Sequence, residues 1–335
     1  MVLLVGAGLL GKSFYRLLHV NIGVQPDHVA TLEIQAPESS YAKDEQAIAL
    51  ERQVLGRVAN LPGVKSVGIS TQLPVSYNGN TTWIRFLDRP YHGEHNEANE
   101  RAVSSDYFLT LQAKLLRGHY FSDAEDGSKP RVVIINQALA RQYFPGVDPI
   151  GRKIGDMDLS PKSIAQIVGI VDDIREGSLD SEIWPAVYYP FNQSPNTYFS
   201  LVVRTSQTEQ SLIPTLIVSI RQIDAGIVTS PGTTMREMIA DSPSAYLHRS
   251  SAWLVGAFAA RGIAARSGGT LWRGGLFGKP KNPGDRRAHG PGGTTRYGLP
   301  AHSEGGRPLD CHWHCRGPAV RLGSGNADAQ TALRC

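Results

Sequence analysis

VATLEIQAPESSYAKDEQAIALERQVLGRVANLPGVKSVGIS, residues 29–70, decides the fold. Residues 29–36 alternate apolar and polar side chains well enough for a half-buried strand, which Pro37 ends. Ser39 and Ser40, with Asp44 and Glu45 close behind, mark a helix start. Ala47, Leu50, Val54, Leu55, Val58 and Leu61 then recur at three- and four-residue steps, which predicts a helix over about 41–60. Pro62-Gly63 stops it, and VKSVGIS (64–70) returns as a second strand. The product is a β-α-β unit.

A second such unit begins at FSLVVR (199–204), continues in a helix over about 209–223 and ends in a strand near 226–228. The two units, about 28–75 and 197–232, are expected to pack together. Between them, residues 76–196 read as a strand-rich mixed insert. Short strands are expected at 81–88 and 101–104, and a short helix at 105–111 with Ser105 or Asp106 near its cap. RVVII (131–135) reads as a buried strand, and Asn136 as the cap of a helix running through Tyr143 and ended by Phe144-Pro145-Gly146. Further strands fall at 164–171 and 186–189. Thr233 or Thr234 caps a long helix expected to lead through Tyr246 into AWLVGAFAA (252–260). The fold class is α+β.

The net charge of +4 is unevenly placed. Residues 261–335 hold 12 Lys and Arg against 4 Asp and Glu, leaving the first 260 residues with 22 and 26. The region with apolar periodicity is mildly acidic, which argues against a nucleic-acid partner. All three cysteines, Cys311, Cys315 and Cys335, lie in the basic segment, so no disulfide framework supports the main fold. That segment contains Ile263, Phe277 and Val320 as its only Ile, Phe or Val, and no packed core is expected there. It reads as a disordered basic tail of the Gly/Arg/Pro mixture that frameshifted GC-rich coding DNA produces.

Two apolar runs, 1–11 and 252–260, bracket the polar domain, each shorter than the roughly 20 residues of a bilayer-spanning helix. They are read as partial transmembrane helices at 1–20 and 246–260, cut short at both ends.

Gly6, Gly8 and Gly11 match G-x-G-x-x-G, with Glu33 placed where a ribose-binding acid would fall, the pattern of an NAD(P)-dependent oxidoreductase. The same small residues suit a membrane helix, and no succession of βαβ units follows. Cys311, His312, His314 and Cys315 offer soft-metal ligands but lack the spacing of a zinc site. Asp123, Glu125 and Asp126 lack the twelve-residue alternation of a calcium loop and read as a solvated turn. Asp172-Asp173 with Arg175 and Glu176 likewise reads as a strand-end turn. His92 and His95 have no partner to make them catalytic. No hydrolase, zincin or P-loop signature occurs. No catalytic, cofactor-binding or metal-binding residue is therefore assigned, and no cofactor is expected.

The stretches VSSDYFLTLQAKLLRGHYFSDAED (103–126), VVIINQALARQYFPGVDPIGRKIG (132–155) and IVGIVDDIREGSLDSEIWPAVYYPF (167–191) resemble the MacB-like periplasmic core domain of FtsX-like ABC transporter permeases, in the acidobacterial-type group. PGVKSVGISTQLP (62–74) and LLVGAGLLGKSF (3–14) are similar to the same family. The resemblance covers about residues 1–260. It implies an extracytoplasmic domain at 21–245 on the bacterial inner membrane, between two transmembrane helices in the lipid bilayer. It also implies partnership with an ATP-binding subunit, a permease dimer, and a role in force transmission or contact with partners or substrate during export. The resemblance further implies that the domain carries no catalysis of its own. A chain truncated at both helices is not expected to transport by itself. A soluble periplasmic binding or scaffold protein is the further alternative.

Overall fold

The computed structural model describes residues 20–76 and 79–246, together with isolated helical positions within 6–16 and 250–257. The basic segment 261–335, with Cys311, His312, His314, Cys315 and Cys335, lies outside the described residues, as does most of the second apolar run. Among the described residues no helix is long and apolar enough to cross a membrane.

Strand β1 (Val29–Gln35) buries Ala30, Leu32 and Ile34 on one face. After Pro37 the chain makes one helical turn, α1 (Glu38–Tyr41), breaks, and starts α2 (Asp44–Ala59), where the Lys43 amide donates to Gln46 Oε1 at 3.1 Å. The helix expected over about 41–60 is thus found at 44–59, with the separate turn α1 before it. The buried stripe of α2 is Ala47, Leu50, Glu51, Val54 and Val58. Strand β2 (Val64–Ser70) follows.

The chain then leaves for a lobe built from β3 (Thr81–Trp83), β4 (Arg85–Phe86), β5 (Glu97–Val103), α3 (Tyr107–Leu111), β6 (Leu115–Gly118), β7 (Val132–Asn136), α4 (Gln137–Tyr143), β8 (Lys153–Gly155), β9 (Ala165–Val171) and β10 (Ala186–Pro190). Asn136 caps α4 by accepting from the Leu139 amide at 3.0 Å, as its position in the sequence implies. The return elements are β11 (Tyr198–Thr205), α5 (Glu209–Arg221), β12 (Val228–Thr229), β13 (Thr233–Thr234) and α6 (Met235–Ala240). Helix α6 is short: Ser242 precedes Pro243, whose ring disfavours α geometry in the residue before it. The long helix expected through Tyr246 is therefore interrupted at Asp241-Ser242.

The two β-α-β units pack together, and they do so by interleaving their strands. The strand order β12-β1-β11-β2 places β11 antiparallel between the parallel pair β1 and β2, the split β-α-β arrangement. Both long helices cover one face of this base sheet, with Leu50, Val54 and Val58 of α2 and Leu212, Leu216 and Ile220 of α5 packed on Leu32, Ile69 and Leu201. The opposite face is covered by α3. An added Cβ at Gly68 would lie 2.6 Å from Tyr107 Cα, so only glycine lets that helix approach β2 so closely. Phe108 then meets Tyr188 of β10 edge-on, ring centroids 5.1 Å apart.

Beyond β2 the sheet continues as β5-β10-β7-β9-β8-β4, with β5–β10 and β7–β9 parallel. This inserted lobe has its own core, in which Val133, Ile135, Leu139, Phe144, Ile154 and Ile167 are buried. The two parts of the sheet meet through one register pair, Ser70 opposite Val103. Hydrogen bonds from the Thr71 amide to Ala102 O (2.9 Å) and from the Ser104 amide to Ile69 O (3.0 Å) flank it.

Candidate functional site

Directly behind this junction lies a buried ionic network. Arg101 of β5 and Glu176, in the loop after β9, are 0 % and 3 % exposed. Arg101 Nε donates to Glu176 Oε2 at 3.0 Å, and Nη1 donates to the carbonyls of Gly79, Asn80 and Glu100 at 2.7–3.1 Å. The other oxygen of Glu176 accepts from Tyr188 Oη at 2.9 Å. Burial, then the Glu176 charge, pushes the Tyr188 phenol well above its ordinary range, so it remains a donor. Burial does the same to Tyr107 beside it. Donors from two strands thus converge on one carboxylate, the arrangement in which a buried charge is tolerated.

The loop carrying Glu176 is also fastened to both ends of the described domain. The Arg175 amide donates to Ile22 O at 3.0 Å, and the Leu179 amide to Ser244 Oγ at 3.2 Å. At Gly23 (φ 80°) an added Cβ would stand 2.1 Å from Asp173 O, so glycine is required where the incoming chain crosses this loop. Arg175 O accepts from the amide of Val75, whose φ of 62° is rare for a β-branched residue. Arg204 of β11 holds the incoming chain from the other side, donating to the carbonyls of Gln25, Asp27 and Thr110 at 2.7–2.9 Å.

Glu176 therefore corrects the reading of residues 172–176 as a solvated strand-end turn: it is buried because Arg101 and Tyr188 supply donors from elements distant in sequence. Asp173 serves the adjacent helix, accepting from the Ala138 amide and pairing with Arg141. Asp123, Glu125 and Asp126 form a turn in which Ser122 donates to Glu125 and Ser128 to Asp126. His95 packs on Trp83 at 4.2 Å, while His92 stands beside Glu94 on the surface. Among the described residues no group of His, Cys, Asp and Glu could hold a metal ion. The chain is helical at Gly6, Gly8 and Gly11, and no neighbour approaches closely enough to require glycine at any of them. Glu33 is exposed on β1 opposite Ser200 of an antiparallel neighbour. That geometry does not fit the dinucleotide reading, which needs a parallel βαβ sheet.

Sequence reading also missed Glu51, which is 3 % exposed in the middle of the apolar stripe of α2. Burial first, then the nearby Asp123 charge, pushes its carboxyl up to about 7, with Arg52 acting in the opposite sense. Its spacing was the available signal, since it stands four residues after Ala47 and three before Val54.

A comparison with curated proteins finds none that matches. Among solved structures, the chain is similar to the periplasmic region of MacB from Actinobacillus actinomycetemcomitans, at 14% identity and a TM-score of 0.44 over 67% of this chain and 95% of that one. It is also similar to the extracellular domain of the noncanonic ABC-type transporter YknZ from Gram-positive bacteria, at 16% identity and a TM-score of 0.40 over 60% and 99%. The family model of the MacB-like periplasmic core domain matches residues 1–225 of the 335. With well over half its length matched, the chain belongs to the MacB-like periplasmic core domain family, the extracytoplasmic domain of MacB- and FtsX-like ABC transporter permeases.

Proposed function

We propose that this domain is a non-catalytic relay in export, carrying displacement between the membrane side of a permease and the inserted lobe. Residues 1–20 and 246–260 belong, on this reading, to helices in the bacterial inner membrane, and the domain 21–245 stands outside it. ATP is hydrolysed by a separate cytosolic ATP-binding subunit, and the permease works as a dimer. The observation that carries the reading is the loop at 173–179. It is hydrogen-bonded to Ile22 and Ser244 at the two ends of the domain and, through Glu176, to Arg101 at the one-pair junction between lobes. A shift of either end reaches the junction through packed and hydrogen-bonded groups without crossing solvent.

Hydrogen exchange tests this. Ser244→Ala removes the bond at Leu179 and should speed amide exchange in the loop and also in β5 and β10. Exchange that rises only within 173–179 would refute the relay.

A further inference from the structure

A cleft of about 1040 Å³ separates the start of α2 from the inserted lobe. Asp44 and Glu45 stand on the helix wall, and Lys129, Arg131, Lys153 and Lys162 line the lobe. None of these four cations forms an ion pair among the described residues. The Arg131 guanidinium lies 5.6 Å from the centre of the Tyr189 ring, and its buried Nε has no hydrogen-bond partner among the described residues. Lys153 and Gln166 are register partners on β8 and β9, both exposed, while their neighbours Ile154 and Ala165 point into the core. The cleft floor is thus a basic strip of uncovered sheet. A second cavity of about 320 Å³ adjoins it, sharing Arg131 and Lys162 and adding the carboxylates Glu100 and Asp156.

We infer that this cleft binds an extended acidic segment of an extracytoplasmic partner polypeptide. The cleft lining carries four cations against the two carboxylates Asp44 and Glu45, a positive surplus that calls for negative charge on the occupant. Small-molecule pockets run to about 1,000 Å³ and are lined with aromatic and apolar groups. This cleft reaches that limit with no aromatic side chain in its lining. An extended chain presents alternate side chains to opposite sides. Carboxylates at every second position would meet the lysines and Arg131, and the residues between them would face Asp44 and Glu45. The location argues against headgroups of the membrane that anchors the domain. Ile22 and Ala245 share a core cluster with Val29 at the start of β1, whereas the cleft begins beyond Gln35 at its other end. Seven strand residues, about 23 Å, separate the two.

The inference rests on the proposed placement of the domain outside the membrane, and binding is measured separately from the exchange experiment, so either can fail alone. The full chain in mild detergent is titrated against a fluorescein-labelled alternating Glu-Ser peptide at low salt, followed by anisotropy. Saturable binding is expected, weakening with added salt. Lys153→Glu with Lys162→Glu should reduce it by about tenfold or more, and the milder Lys153→Gln with Lys162→Gln by a smaller factor. Both residues are exposed, and unchanged thermal melts confirm that the variants fold. Equal binding of a Gln-Ser peptide, or no change in the charge-reversed variant, overturns the inference. So does binding of tripolyphosphate or anionic phospholipid vesicles in place of the peptide.

Discussion

Replacing Glu51 by glutamine removes an ionisable group from the core-facing stripe of α2 while keeping its shape. In the folded chain its carboxyl is pushed from an ordinary 4.5 up to about 7, chiefly by burial. A raised value means that the folded state binds the proton more tightly than the unfolded one. The stabilising contribution is complete below about pH 4.5 and is lost as pH rises through about 7. The gap of about two and a half pH units, at about 1.4 kcal/mol each, is worth about 3 kcal/mol. The expected outcome is that Glu51→Gln gains about 3 kcal/mol on the wild type between about pH 4 and pH 8. Urea denaturation of both chains across that range, read by tryptophan fluorescence, measures it. Taking the difference between the chains cancels the titrating groups that do not interact with Glu51, as well as the fixed cost of burying an amide. A difference that stays flat with pH would refute the assignment of a buried, protonated Glu51.

Glu176→Gln leaves Arg101 as a buried cation without its carboxylate and should lower stability by about 3–5 kcal/mol, while Arg101→Met with Glu176→Met recovers most of it. Urea midpoints of the two variants decide this, and equal losses would contradict it. Gly68→Val forces a side chain into the backbone of Tyr107 and should cost at least about 1–3 kcal/mol; an unchanged thermal midpoint would show that α3 does not pack there. Asn136→Ala removes the cap of α4 and the bonds to Trp184 O and the Ala186 amide. It should cost about 2 kcal/mol, and an unchanged thermal midpoint would refute the role of the cap.

Local signals in the sequence were enough for the base lobe's parts. Apolar spacing along α2 and Pro62-Gly63 after it act within a few residues, as does the Asn136 cap in the inserted lobe, so each was readable. Strands β6 and β8, four and three residues long, are too short to show a period and take their conformation from β9 alongside. The break before Pro243 was written in the sequence and was outweighed by apolar content on both sides. Interleaving of the two β-α-β units depends on which distant strands pair, which no local pattern encodes. The same holds for the network at the junction: Arg101 and Glu176 lie 75 residues apart, and each looks like an ordinary surface charge until the sheet register brings them together. Glu51 was the exception, a charge visibly out of place on an apolar stripe.

The base sheet pairs Ser70 with Ser200, although residues 71–199 lie between them. Closing a chain loop that long costs about 3 kcal/mol more than closing a four-residue hairpin between the same strands. That penalty falls once the intervening residues have collapsed around their own core, because the gap to be closed is then the short distance between two ends of a compact body. On that argument assembly should run from the inserted lobe to the base, with the central pairing of β2 and β11 expected late in folding. A lesion in the Val133–Ile135 core should slow formation of strands that it never touches.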